Sequence, residues 1–250
     1  MESPEISVLI PAFNEELLIG RVIESVRASF AAVRAGMPYE VVVCDNNSTD
    51  KTGEIAAAHG AVVVREPHNQ IARARNVAAK SARGRWLIFL DGDTLLTPGA
   101  LSATLSALEG GRICAGGSVM RFDKEQIGWF ATGLTRLWTA ISVVFNLAAG
   151  SYIFCYREAW ADVGGFDEAI YAGEEIFFSQ SLKQWARKRR LKFKILTGSP
   201  VITSARKMEW YDTWQLLGCV LRMLIPGSMK RRESCDLWYS RPAGDAAKAD

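Results

Sequence analysis

Trp86-Leu87-Ile88-Phe89-Leu90-Asp91-Gly92-Asp93 is the stretch that decides how this chain folds. Five consecutive apolar residues without polar alternation describe a strand buried on both faces. The strand runs straight into two carboxylates separated by a glycine. Toward the N-terminus the same kind of run recurs at residues 6–10, 41–44 and 61–64, with helical patterns between. Residues 15–34 carry Leu18, Val22, Val26 and Phe30 on one stripe. Residues 51–59 follow Asp50, a helix-capping residue type, and residues 71–82 form a helix closed by Gly84. Alternating short strands and helices predict an α/β fold with a mostly parallel sheet covered by helices on both faces. In such sheets ligands bind beyond the carboxyl ends of the strands. The polar clusters Asn14-Glu15, Asp45 to Asp50 and Asp91-Gly92-Asp93 all fall there.

The second half is less regular. Helices are predicted over residues 98–108, 129–149 and 174–187, and strands over 113–121, 151–156 and 191–196. No linker-like boundary interrupts them. The expectation is one domain over residues 1–240, with a nucleotide-binding half to about residue 110 and an acceptor-binding half from about 111. Residues 241–250 read as a frayed polar tail. The chain has 250 residues, 49% hydrophobic, enough for a substantial core. A net charge of +3 and a pI of about 8.6 are too mild to indicate nucleic acid, and none is expected as a partner. Five widely spaced cysteines without a CxxC pair argue against a disulfide framework or zinc site. The first residues show no basic region followed by a long apolar one. The expected location is therefore cytoplasmic, with peripheral contact at the inner face of a membrane as an alternative.

Asp91 and Asp93, two positions apart on a strand end, can present hard oxygen ligands to one cation, and Gly92 lets a phosphate approach the backbone. A Mg²⁺ or Mn²⁺ ion there would neutralise a leaving diphosphate. A polar turn is the competing explanation of the same three residues. Asp45 at its strand end can accept hydrogen bonds from a base or ribose, or can simply order a loop before a helix.

Taken together the residues resemble glycosyltransferase family 2. The resemblance is carried by Ser7-Val8-Leu9-Ile10-Pro11-Ala12-Phe13-Asn14-Glu15-Glu16, by residues 41–52, by Ala74-Arg75-Asn76 with Gly84, and by Phe89-Leu90-Asp91-Gly92-Asp93. Gly164-Gly165-Phe166-Asp167-Glu168 and Gly173-Glu174-Glu175 complete it, in family order over residues 6–185. The resemblance implies a GT-A fold, Rossmann-like, and an inverting enzyme that moves sugar from a nucleotide-diphosphate sugar. UDP-sugar is the favoured donor and GDP-sugar the other. It implies that Pro11, Ala12, Phe13, Glu15 and Asp45 line the base and ribose pocket and that Arg75 lies near the nucleotide or its phosphates. Asp93 would be the main metal ligand, with Asp91 facing the ribose or the metal beside Gly92. The acidic pair Glu174-Glu175 would carry the catalytic base, and the second position, Glu175, is the usual base. The family more often has Asp there, so the base here reaches one methylene further. A charge pair that only stabilises a helix N-terminus is the alternative. The acceptor would be a sugar or lipid-linked hydroxyl, such as a cell-envelope glycan.

Two departures from the family pattern matter. Gln184-Trp185-Ala186-Arg187 does not match the Gln-x-x-Arg-Trp segment of processive members, so one sugar per encounter is expected. No histidine follows the D-x-D; Arg206 and Lys207 stand about where a third, histidine ligand would fall, and either hold the diphosphate or form a surface basic pair. Residues 127–150 are the most apolar stretch, and fit a core helix, an interfacial helix or, least well, a span. Six cations within residues 187–194 would suit an anionic surface or a solvated face. A second amphipathic helix is predicted over 210–225. The competing functions are a sugar nucleotidyltransferase and a catalytically silent binding protein of the same fold. The first lacks its Gly-rich basic loop after the opening strand.

Overall fold

The first-half apolar runs form the predicted strands in a computed structural model that describes residues 3–123, 129–206, 218, 227–234 and 239. They are β1 (Ile6–Ala12), β2 (Tyr39–Asp45), β3 (Val62–Arg65) and β4 (Trp86–Leu90), paired in parallel in the order β3-β2-β1-β4. Between them lie α1 (Ile19–Val33), α2 (Thr52–Ala58) and α3 (Ile71–Ser81), and α4 (Pro98–Glu109) follows. Strand alternation sorts the side chains onto two layers. Val8, Ile10, Val43 and Ile88 pack with Val22, Val26, Phe30, Leu101 and Leu105 of α1 and α4. Leu9, Val42, Leu87 and Phe89 pack on the opposite face with the alanines of α3. Every residue of β1 and β4 is buried, which is why neither alternates. Pro11 is tolerated inside β1 because pairing with β4 stops at Leu9, leaving it paired with β2 alone.

Past β4 the sheet continues with β7 (Tyr152–Tyr156), β6 (Ile113–Phe122), β8 (Lys192–Thr203) and β5 (Thr94–Leu95). Four of the seven pairings are parallel, and the other three, β4 with β7, β7 with β6 and β8 with β5, are antiparallel. One mixed sheet thus runs through both halves. Further α-helices among the described residues are α5 (Trp129–Phe145), α6 (Arg157–Val163) and α7 (Glu174–Lys188). β5 and α6 are absent from the sequence expectation, and β8 runs seven residues past its predicted end. Gly198 and Pro200 are strand-breaking signals, and the register with β6 slips between Ser118 and Met120 to absorb them. Ser118 Oγ donates toward both Leu196 O (3.3 Å) and Ser199 O (2.8 Å) across that irregularity. Apart from Gly218, the predicted 210–225 helix lies outside the described residues, as do Lys207 and the 241–250 tail.

β6 approaches β8 so closely at Gly116 that a Cβ there would lie 2.0 Å from Lys194 O. Gly116→Ala must push apart two central strands. Overpacking of this kind is expected to cost about 3 kcal/mol or more, read as a drop in the denaturant midpoint.

Candidate active site

The carboxyl ends of β1, β2 and β4 share one rim. Ala12 pairs in register with Asp45, and Asn46 N donates to Ala12 O at 2.8 Å. The two loops that follow are stitched together. Asn14 N donates to Ser48 Oγ (3.0 Å), Thr49 N to Asn14 Oδ1 (2.8 Å), and Glu15 N to Thr52 Oγ1 (2.7 Å). Asn14 and Asn47 hold positive φ, which asparagine tolerates better than most residues. Asp45 Oδ1 accepts from Ser48 N at 2.8 Å, so one of its oxygens orders this loop. The N-cap position of α2 is Lys51, not Asp50, whose Oδ1 accepts from Thr52 N at 2.9 Å from one residue earlier.

Gly92 packs against the end of β1. A Cβ on it would lie 3.2 Å from Pro11 O, 3.4 Å from Ala12 Cβ and 3.4 Å from Glu15 Cγ. Four residues singled out from the sequence are therefore neighbours, and half-buried Phe13 sits in the same loop. Glu15 is buried and ion-paired with Arg206 at 2.6 Å. The β5–β8 pairing brings that arginine in: Thr94 pairs with Thr203, and Ser204 N donates to Asp93 O at 3.0 Å. Asp93 itself is buried.

Arg75 holds the other side of the site. Its side chain is 1% exposed and reaches Asp91 from within the protein. Its Nη2 donates to Asp91 Oδ1 and to Gly150 O, each at 2.9 Å, and its Nη1 donates to Glu174 Oε1 at 2.5 Å. The guanidinium lies 5.2 Å from the Phe166 ring centre. Burial works against its charge, but Asp91, Glu174 and Glu175 outweigh burial and raise its pKa.

Glu174 and Glu175 open α7 behind Gly173, which has φ +77. Glu174 is buried, while Glu175 is half-buried next to Gly150, where a Cβ would lie 3.7 Å from the Glu175 carboxyl carbon. Burial pushes both carboxyls above the ordinary glutamate range. The charge of Glu175 adds to the effect on Glu174, and Arg75 opposes it on both. Three carboxylates thus face one guanidinium. That excess of negative charge favours a proton or a further cation.

Two residues hold this arrangement without having been assigned any role from sequence. Asn76, inside the Ala-Arg-Asn segment, accepts from Phe166 N (2.9 Å) and donates to Phe166 O (2.9 Å), clamping the Gly-Gly-Phe-Asp turn. Gln70 donates to Glu168 O at 2.7 Å. Both glycines of the Gly-Gly-Phe-Asp turn hold positive φ, +83 at Gly164 and +75 at Gly165. A side chain on Gly165 would also collide with Asn76 Oδ1 at 2.5 Å. Asp167 Oδ1 accepts from Ala169 N at 2.9 Å, ordering the turn.

Among the described residues no three His, Cys, Asp or Glu side chains gather as a metal cluster. The carboxylates Asp91 and Asp93 still fit Mg²⁺ or Mn²⁺, which is commonly held by one or two carboxylates plus phosphate oxygens and water. His59 and His68 serve elsewhere, His59 beside Glu24 and His68 bonded to Glu66.

The family model described as Glycosyl transferase family 2 matches residues 7–155, well over half of the chain. The chain belongs to glycosyl transferase family 2. It is 35% identical over 111 residues to an uncharacterized glycosyltransferase of Mycobacterium tuberculosis, covering 44% of this chain and 47% of that protein. It is 26% identical over 187 residues to the glycosyltransferase AglE of Haloferax volcanii, covering 71% of this chain and 60% of that one. The chain spans about half the length of the curated relatives it matches. Among solved structures, the mannosyltransferase PcManGT from Pyrobaculum calidifontis, in complex with GDP-Man and Mn²⁺, superposes with a TM-score of 0.63. The identity is 17%, over 99% of this chain and 79% of that one. Staphylococcus aureus TarS, in complex with UDP-GlcNAc, gives 0.62 at 18% identity, over 98% and 76%. The fold of this family 2 chain is the GT-A fold those structures share.

Proposed function

We propose that this chain is an inverting glycosyltransferase that moves a single sugar from a nucleotide-diphosphate sugar to an acceptor hydroxyl. One observation carries the proposal: Arg75 ties the Asp-Gly-Asp strand end to the Glu174-Glu175 helix start, so a donor-side and an acceptor-side carboxylate share one rim. In this reading β1's end and Asp45 receive the nucleoside, UDP being favoured and GDP the other choice. The acceptor is a sugar or lipid-linked hydroxyl.

Glu175 takes the proton from the acceptor hydroxyl as its oxygen attacks the anomeric carbon from the face opposite the diphosphate. The bond between that carbon and the diphosphate oxygen breaks, and its electron pair leaves on the diphosphate. Asp91 and Asp93 would hold a Mg²⁺ or Mn²⁺ ion, which neutralises the leaving charge when bound. Arg206, now paired with Glu15, stands close enough to the Gly92 turn to add a fixed cation on that side. Glu174, tied to Arg75, holds the N-terminus of α7 in place. A sugar nucleotidyltransferase fits less well, because the turn after β1 is Pro11-Ala12-Phe13-Asn14-Glu15 rather than a Gly-rich basic loop.

The test is thermal unfolding of the chain with nucleotides, with and without Mn²⁺. UDP or GDP at a hundredfold excess over Kd should raise Tm by about 5–10 °C. Asp93→Ala should lose the Mn²⁺-dependent part of that rise. A preference for nucleoside triphosphates over diphosphates would move the assignment to nucleotidyl transfer.

A further inference from the structure

The outer surface of α5 does not look like the surface of a core helix. Leu137, Val144 and Phe145 are 58%, 71% and 62% exposed, whereas the polar Ser142 beside them is buried. Leu137 and Val144 are seven residues apart, two helical turns, so they share one face, and Ala140 on that face is exposed as well. Apolar residues therefore point to solvent where a surface helix normally presents polar ones. At 17 residues α5 is shorter than the roughly 20 needed to cross hydrocarbon. Among the described residues no helix is long and apolar enough to cross a membrane.

The charged residues of α5 and of α7 beyond Glu175 are all cations. Lys183 of α7 donates from Nζ to Phe145 O at 2.8 Å, which fixes an ammonium at the apolar end of α5. Ala148 N donates to Ser179 Oγ at 3.1 Å, so the α7 row that begins at Ser179 and continues through Lys183 lies against the end of α5. Arg187, exposed, is the next residue along that row, and Arg136 is exposed on α5 itself. Neither α5 nor α7 beyond Glu175 contains an acidic residue to neutralise these cations. Exposed aliphatic and aromatic side chains rimmed by cations are complementary to a bilayer whose apolar interior lies beneath anionic headgroups.

We infer that the Leu137–Val144–Phe145 face of α5, flanked by Lys183 and Arg187, docks on the surface of an anionic lipid bilayer. The docking face is close to the rim described above. α5 leads within five residues to Gly150, whose carbonyl receives Arg75, so a docked chain holds the start of α7 next to the lipid headgroups. This inference stands on the surface alone and holds whatever reaction the rim performs.

The experiment is co-sedimentation of the full chain with phosphatidylcholine vesicles and with vesicles that also contain phosphatidylglycerol. Association is expected only with the anionic vesicles, and it should weaken as salt is raised. Val144→Glu with Phe145→Glu should lower partitioning by about tenfold or more. Arg187→Gln alone, an exposed change that leaves the fold intact, should lower it about fivefold at low salt. Three results would overturn the inference: no pelleting with either vesicle, pelleting of the double variant equal to that of the parent chain, or a dimer in sedimentation velocity that the double variant splits.

Discussion

Glu175→Gln is expected to lower sugar transfer on the order of a hundred- to ten-thousand-fold while leaving nucleotide binding unchanged. The substitution keeps shape and removes only the capacity to accept a proton. Glu174 cannot stand in readily, because its Oε1 is bonded to Arg75 and its carboxyl is buried. The raised pKa of Glu175, caused chiefly by burial, adds a second signature. A base must be ionised to work, so the acid-side fall in kcat/KM of the parent enzyme should lie above the ordinary glutamate range. Single-turnover assays with a matched nucleotide titration provide the check. A variant that keeps near-full rate would remove Glu175 from the reaction.

Arg75→Met is expected to cost about 3–5 kcal/mol of stability, because it strips a buried carboxylate of its counter-charge. The loss should depend on pH in a defined direction. In the folded chain burial raises the Glu174 pKa from 4.5 to about 8, with Glu175 adding to the rise and Arg75 opposing it. A carboxyl whose pKa is raised by folding favours the folded state when protonated. Its contribution is complete below pH 4.5 and is lost as pH climbs toward about 8. Without Arg75 the folded pKa rises further, so the variant should lose more at pH 8 than at pH 5. Urea unfolding of both proteins at the two pH values measures this. Equal losses at both would mean that Arg75 acts through packing on Phe166 and not through charge.

Much of the first half was legible in the sequence, for a physical reason. Strands buried on both faces read as apolar runs, and Val8–Ile10 of β1, Val41–Cys44 of β2 and all of β4 do. The acidic positions at their ends then share a rim as a consequence of parallel pairing. Two-residue β5 is too short to show any period, and β8 passes through Gly198 and Pro200, which read as a stop. Arg75 was found by motif, but its burial was not, since arginine ordinarily reads as surface. Its partner Glu174 lies 99 positions away, a pairing no local pattern reports. Asn76 was visible as a letter in the same segment, yet its clamp on Phe166 exists only once α3 meets the Gly-Gly turn. For α5, the sequence showed an apolar stretch over residues 127–150 but not which of its side chains face outward, as Leu137, Val144 and Phe145 do.

The pairing of Thr94 with Thr203, and of Asp93 O with Ser204 N, has a bearing on how the protein is made. The turn that carries the two aspartates leaves the ribosome about a hundred residues before the strand that clamps it. A nascent chain halted after its fourth strand holds every residue of the Asp-Gly-Asp segment but not the geometry. Competence of the site is therefore a late event in synthesis, and fragments ending before residue 203 should translate and partly fold yet lack a finished turn.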